Sequence, residues 1–332
     1  MRPALDATMR GVPISGSSAW AASAEREGFD GIVVTETNND PFLPLALAAT
    51  STRDIGLATG IALALPRSPM EVAYTSWNLQ DLSGGRFTLG LGTQVRAHVE
   101  RRYGVPWTRP AARMREYVLA LRAIWSAWET GEPLHFEGEF SSHTLMPPAF
   151  RPRPQPHGAP PVWLAAVRER MIEVAGEVAD GLLVHPLQSP RYLAEVVRPA
   201  LARGASRAGR DPSDIGVSVA QLVATTPAEL EAVRARVAFY GSTPGYRHVL
   251  ALHGLDDLFG ELHELSRTGG WDRMSALVDD DTLGIFVAYA EDAGELAADV
   301  RRRTAGVDRI ALHSGAEVAP ESWSDIVRAL RS

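Results

Sequence analysis

Eight short apolar segments recur along this chain of 332 residues, separated by polar turns and amphipathic stretches. They lie at 5–9, 31–35, 55–65, 87–91, 162–165, 181–185, 215–223 and 309–312. Runs of this kind bounded by turn signals are buried strands, and spacers with apolar residues three and four apart are helices. Strands separated by helices pair in parallel, because each helix carries the chain back across the sheet. Eight such units favour a closed (β/α)8 TIM barrel over an open doubly wound sheet, which the same alternation also permits. The expectation is one barrel domain over residues 1–332, with insertions at about 131–160 and 241–283.

Local signals punctuate the pattern. Ser17 or Ser18 is placed to cap a first helix, Pro41 opens a second, and Ser68-Pro69 and Ser189-Pro190 start two more. The helix predicted over 111–130 carries Met114, Val118, Leu121, Ile124, Trp125 and Trp128 at helical spacing, a core face. Residues 131–160 are dense in proline and glycine and longer than an ordinary connection, which suggests a lid or an interface piece with a short hairpin.

Composition removes several chemistries. The chain has no cysteine and no lysine, so a thiolate metal site, a cysteine nucleophile and Schiff-base catalysis are all excluded. Any anion clamp must use arginine, histidine or backbone N–H groups. A net charge of −7 gives no bulk attraction to nucleic acid or an anionic membrane. The opening MRPALDATMRG lacks the apolar run of a signal peptide, so the cytoplasm is the expected compartment. No metal-binding H-E-x-x-H, dinucleotide fingerprint, phosphate-loop lysine or G-x-S-x-G elbow occurs, which points to a cofactor bringing its own reactivity.

Groups just past the C-terminal ends of barrel strands face the active site. The stretch DLSGGRFTLGLGTQVRAH, 81–98, reads as a bottom turn, a buried strand and a polar loop offering Thr93, Gln94, Arg96 and His98. Ala166, Val167 and Arg168 end one strand and open a helix, where free N–H groups make a ready phosphate site. His185 and His313 follow the sixth and eighth strands, each either a proton donor at the mouth or a partner for a neighbouring carbonyl. Arg113, Tyr240 and Tyr246 are further candidates for an outer pocket.

The segments EREGFDGIVVTE, LATGIALALPRSP, DLSGGRFTLGLGTQVRAH with ERRYGVPW, APPVWLAAVRERMIEVAGEVADGLLVHP and FYGSTPGYRHVL occur in that order. The set resembles the luciferase-like superfamily of flavin- and deazaflavin-dependent (β/α)8 barrels, and TQVRAHVERRYG looks like its branch that uses coenzyme F420 rather than FMN. The resemblance implies a cis peptide at Gly60-Ile61 backing the redox ring. It implies that Glu36, Asn38, Asn39 and Asp40 lie near the redox carbon and pyrimidine edge, Asn39 standing where relatives carry histidine. Thr93, Gln94 and Val95 would flank the cofactor, Arg96 or His98 would reach its phosphate or acidic tail, and Ala166, Val167 and Arg168 would hold phosphate. Glu36 and His185 are the leading proton donors, and no metal is expected. The implied activity is hydride transfer between coenzyme F420 and a small organic substrate. The rivals are an FMN-dependent monooxygenase and a non-catalytic flavin-binding barrel. A homodimer is the expected assembly.

Overall fold

In the computed structural model, residues 2–332 are described. Eight strands form the ring: β1 (Ala4–Met9), β2 (Gly31–Val34), β3 (Gly56–Thr59), β4 (Phe87–Gly92), β5 (Val162–Ala166), β6 (Gly181–Val184), β7 (Gly216–Ala224) and β8 (Arg309–His313). Each pairs in parallel with the next, and β8 pairs with β1. The sheet is therefore a closed (β/α)8 barrel, and the open-sheet alternative falls away. Two further short strands join the sheet, of which only Val287–Tyr289 lies outside the expected runs. Ala62–Leu63 continues the third unit and pairs with β4, while Val287–Tyr289 adds to the flank of β7.

The longer helices are α1 (Ser17–Arg26), α2 (Phe42–Ser51), α3 (Pro69–Leu82), α4 (Pro110–Thr130), α5 (Glu169–Val178), α6 (Arg198–Arg207), α7 (Pro227–Gly241), α8 (Asp256–Thr268), α9 (Ala293–Arg303) and α10 (Ser324–Arg331). Ser68 caps α3 in a reciprocal box with Glu71, which satisfies two N–H groups left over at the helix start. Asp40 accepts from the N–H of Phe42 at 2.9 Å and so starts α2. Ser17 caps nothing. A preceding helical turn, Ile14–Gly16, supplies the entry, and the hydroxyl of Ser17 donates back to Pro13 O.

The barrel bottom is closed by unequal partners. Trp163 lies across Gly181 and Gly216, where an added Cβ would come within 2.2 Å and 2.7 Å of its ring. Beside it, Asp6 and Arg309 pair over Gly31. Met114, Val118, Leu121, Ile124, Trp125 and Trp128 of α4 are buried, with Trp128 against Trp77 of α3 and the Trp125 indole N–H on Ala73 O. The aromatic face of α4 is thus spent on the chain's own core and is not free to serve a dimer.

The first insertion is not a lid. Its hairpin, Phe136–Glu137 with Ser142–His143, is held to α4 by Glu116, whose carboxylate accepts from the N–H groups of Glu139, Phe140 and Ser141. The chain then runs along α3, where Trp77 donates to Arg153 O and Tyr74 to Phe150 O, and reaches Gly85 at the bottom through His157. Unmet backbone groups of the hairpin fall beside Glu116, so this segment straps the barrel's flank. The second insertion, between α7 and α9, covers part of the mouth instead.

Candidate active site

Glycines make room at the top of β3 and β4. The peptide bond between Gly60 and Ile61 is cis. A Cβ on Gly60 would meet Val33 Cγ1 at 2.0 Å, and one on Gly90 would meet Thr59 O at 1.8 Å, so β3 and β4 approach more closely than side chains allow. Thr59 seals the contact, its hydroxyl donating to Gly90 O at 2.7 Å and accepting from Gly90 N at 2.8 Å. Ile61 then turns its side chain over Gly92, where a Cβ would lie 2.1 Å from Ile61 Cδ1 and 3.5 Å from Ala165 Cβ. Ile61, Gly92 and Ala165 form a small apolar floor at the mouth.

Glu36, just past β2, is fully engaged. Its carboxylate accepts from Leu63 N at 2.8 Å, from Arg67 Nη1 at 2.8 Å and from Tyr103 Oη at 3.2 Å, and its side chain is buried. Arg67 also reaches Asp40 at 3.0 Å. Three donors on one carboxylate favour a charged anchor tying the β2 and β3 loops together over a free proton donor. Asn39 has a similar tying role, donating to Val12 O at 3.1 Å.

His185 stands one residue beyond β6. Its Nδ1 accepts from Leu187 N at 3.1 Å, which leaves the proton on Nε2. The ring stacks on Tyr246 at 4.2 Å and meets Tyr240 edge-on at 4.6 Å. Burial pushes it down to about 3, so it is neutral over the working range. His313, just inside the end of β8, is likewise down to about 3, first by burial and then by Arg10, Arg236 and His185. Its Nε2 is buried without a hydrogen-bond partner.

The segment Thr93 to Val95 turns sharply, with Gln94 at φ 63° and its side chain accepting from Val95 N. Beyond it the chain forms a helical turn, Arg96–Arg101, in place of the expected loop, with Arg96 and His98 on its exposed side. Arg96 is paired with Glu100 at 3.0 Å, so the guanidinium expected to reach the cofactor tail already has a partner. At the end of β5, Val167 O accepts from Tyr192 Oη and from His248 Nε2. Arg168 donates to Pro244 O at 3.2 Å, and α5 starts with no side-chain cap. The first N–H groups of α5 therefore remain available to an anion.

The site also holds residues that the sequence did not single out. Arg67, Tyr103, Tyr192 and His248 act by binding loops from other units, and nothing local marks them. Arg10, immediately after β1, and Arg236, on α7, line an open depression of about 470 Å³ with Gly11, Thr37, Asn38, Gly315, Ala316 and Glu317. Arg10 had one local signal, its place directly beyond a strand's C-terminal end.

Comparison with known proteins agrees with this architecture. A family model described as luciferase-like monooxygenase matches residues 5–309. An uncharacterized protein of Mycobacterium tuberculosis is 52% identical over 297 residues, covering 87% of each chain. A 5,10-methylenetetrahydromethanopterin reductase of Methanolobus tindarius is 30% identical over 208 residues, 62% of this chain and 60% of the relative. The solved coenzyme F420-dependent tetrahydromethanopterin reductase of Methanopyrus kandleri shares the fold at a TM-score of 0.81, with 22% identity over 99% of this chain and 98% of its own. With a closed barrel, a glycine-built floor at its mouth and a matching model over nearly its whole length, the chain belongs to the luciferase-like monooxygenase family.

Proposed function

We propose that this protein is an oxidoreductase that binds coenzyme F420 and transfers a hydride between it and a small organic substrate. The observations that carry the reading are the floor of Ile61 over Gly92 beside Ala165 and, one residue past β6 on the same mouth, a neutral His185 that keeps a proton on Nε2. The reductase of Methanopyrus kandleri, named for its dependence on coenzyme F420, supports the choice of cofactor.

The residues fit a flat ring carrying an anionic tail. Gly60, Gly90 and Gly92 let Val33, the Thr59 carbonyl and Ile61 pack where a side chain would clash, which shapes the floor a ring would rest on, and the uncapped start of α5 offers free N–H groups for a phosphate. Coenzyme F420 would supply a carbon that accepts or releases hydride without reacting readily with oxygen. Ile61, Thr93, Gln94 and Val95 would position the ring, and Val167 and Arg168 the phosphate. Tyr192 and His248 hold the Val167 carbonyl turned away, which keeps the neighbouring N–H groups presented.

His185 would donate its Nε2–H to the substrate oxygen on which charge develops. A neutral imidazole fixed by Leu187 N is a preorganised donor, and such groups stabilise the transition state without reorganisation. Glu36 holds the β2 and β3 loops in register through Arg67 and Leu63.

Fluorescence titration of the purified protein with coenzyme F420 and with FMN tests the reading. Tighter binding of coenzyme F420 is expected; binding of FMN alone would favour the monooxygenase reading, and binding of neither would sink both. His185→Gln should lower kcat about 10²- to 10³-fold, as loss of one such donor does, with cofactor affinity unchanged. Equal turnover in the variant would remove His185 from the chemistry.

A further inference from the structure

Two arginines from distant elements meet at the barrel mouth. Arg10 follows β1 and Arg236 lies on α7, and both line the open depression of about 470 Å³. Each spends one nitrogen on the same carbonyl, Gly315 O, Arg10 Nη2 at 3.3 Å and Arg236 Nη2 at 2.7 Å. Each retains a buried nitrogen without a partner, Nη1 of Arg10 and Nε of Arg236. Neither forms an ion pair with a carboxylate among the described residues, unlike Arg67, Arg303 and Arg309.

Like charges held together and partly out of water repel, and burial, with Arg236 beside it, lowers Arg10's affinity for its proton. The one acid lining the depression, Glu317, packs against Gly11 and offsets one of the two charges, leaving a net positive wall. An arrangement of this kind is stabilised when an anion enters, and guanidinium forks suit carboxylate and phosphate oxygens.

The depression also lies on the reacting side of the barrel. Thr37 and Asn38 on its wall directly follow Glu36, whose carboxylate holds Leu63 N two residues past Ile61. Arg10 and His313 share the adjoining recess, and His313 ends β8 on the same mouth as His185. A molecule anchored at the arginines would thus extend toward His185. The cofactor's own phosphate has its candidate site elsewhere, at the start of α5.

We propose, on the reading of the mouth as a redox site, that Arg10 and Arg236 form the subsite for an anionic group of the organic substrate, a carboxylate or a phosphate. The substrate class is then a small organic acid or phosphate ester whose oxidisable carbon sits beyond the anion.

Calorimetric titration of the full-length protein with acetate and with inorganic phosphate, at constant ionic strength, tests this. Saturable binding of at least one is expected, and the preferred anion identifies the group. Arg10→Met and Arg236→Met should each raise Kd at least about tenfold, the loss of one charge-assisted hydrogen-bonding partner, while coenzyme F420 titrates as in wild type. Should either variant fail to fold, Arg10→Lys and Arg236→Lys keep the charge and lose the fork, and a several-fold weakening is expected. Absence of saturable binding to wild type, or unchanged Kd in the variants, overturns the subsite. Anion binding in a protein that binds no coenzyme F420 would sink the redox reading and leave the anion site standing.

Discussion

Acid should unfold this protein early, because His185 and His313 are buried in the neutral form. Each is lowered from 6.5 to about 3, His185 by burial and His313 by burial together with Arg10, Arg236 and His185. Between those values the unfolded chain binds a proton at each site and the folded chain does not. Stability is therefore fully present above about pH 6.5 and is lost as pH falls toward 3. At about pH 5 each histidine removes about 2 kcal/mol relative to neutral pH, and the pair about 4 kcal/mol. That is a large share of the roughly 5–15 kcal/mol that holds a domain folded. Urea unfolding of wild type, His185→Gln and His313→Gln at about pH 7.5 and about pH 5 measures it. Each variant should lose about 2 kcal/mol less than wild type across the interval. Contributions from the other lowered histidines, His143, His248 and His253, cancel in that difference. An identical pH dependence in wild type and both variants would refute the reasoning.

Three further perturbations test other contacts. Gly90→Ala places a methyl group 1.8 Å from the Thr59 carbonyl oxygen, which is backbone and cannot rotate away; a loss of about 1–3 kcal/mol is expected, and an unchanged urea midpoint would contradict the close approach of β3 and β4. Glu36→Gln leaves Arg67 short of its buried partner and should cost about 3 kcal/mol. A double-mutant cycle with Arg67→Met that shows no coupling would deny the anchor. Tyr192→Phe removes one of two donors from Val167 O and should cost about 1 kcal/mol, with weaker binding of coenzyme F420; equal stability and affinity would show that the carbonyl is held by His248 alone.

Strand and helix positions were legible because their signals are local. Seven of the eight ring strands start and stop within a residue or so of where the apolar runs place them. The third is shorter, because Gly60-Ile61 breaks the run into Gly56–Thr59 and Ala62–Leu63. The stretch after β4 misled for a related reason: Gln94 takes the left-handed turn, and Arg96 onward is then free to wind into a helix. For the first insertion the hairpin was legible but not its seat, because proline and glycine density tells how a segment bends and not which face of the barrel it lies against. Glu116 on α4 decided that.

Order of segments and side-chain chemistry alone determined the eight strand–helix units, the families of reaction that lack of cysteine and lysine removes, and the glycine-bearing strand ends. Each of these depends on neighbours in the chain. The tie of Glu36 to Arg67 and Leu63, the Val167 carbonyl held by Tyr192 and His248, and the meeting of Arg10 with Arg236 were settled only when β8 closed on β1. Ring closure brings the ends of all eight units to one opening, and which side chains then touch depends on strand register and helix packing, which no stretch of sequence carries by itself.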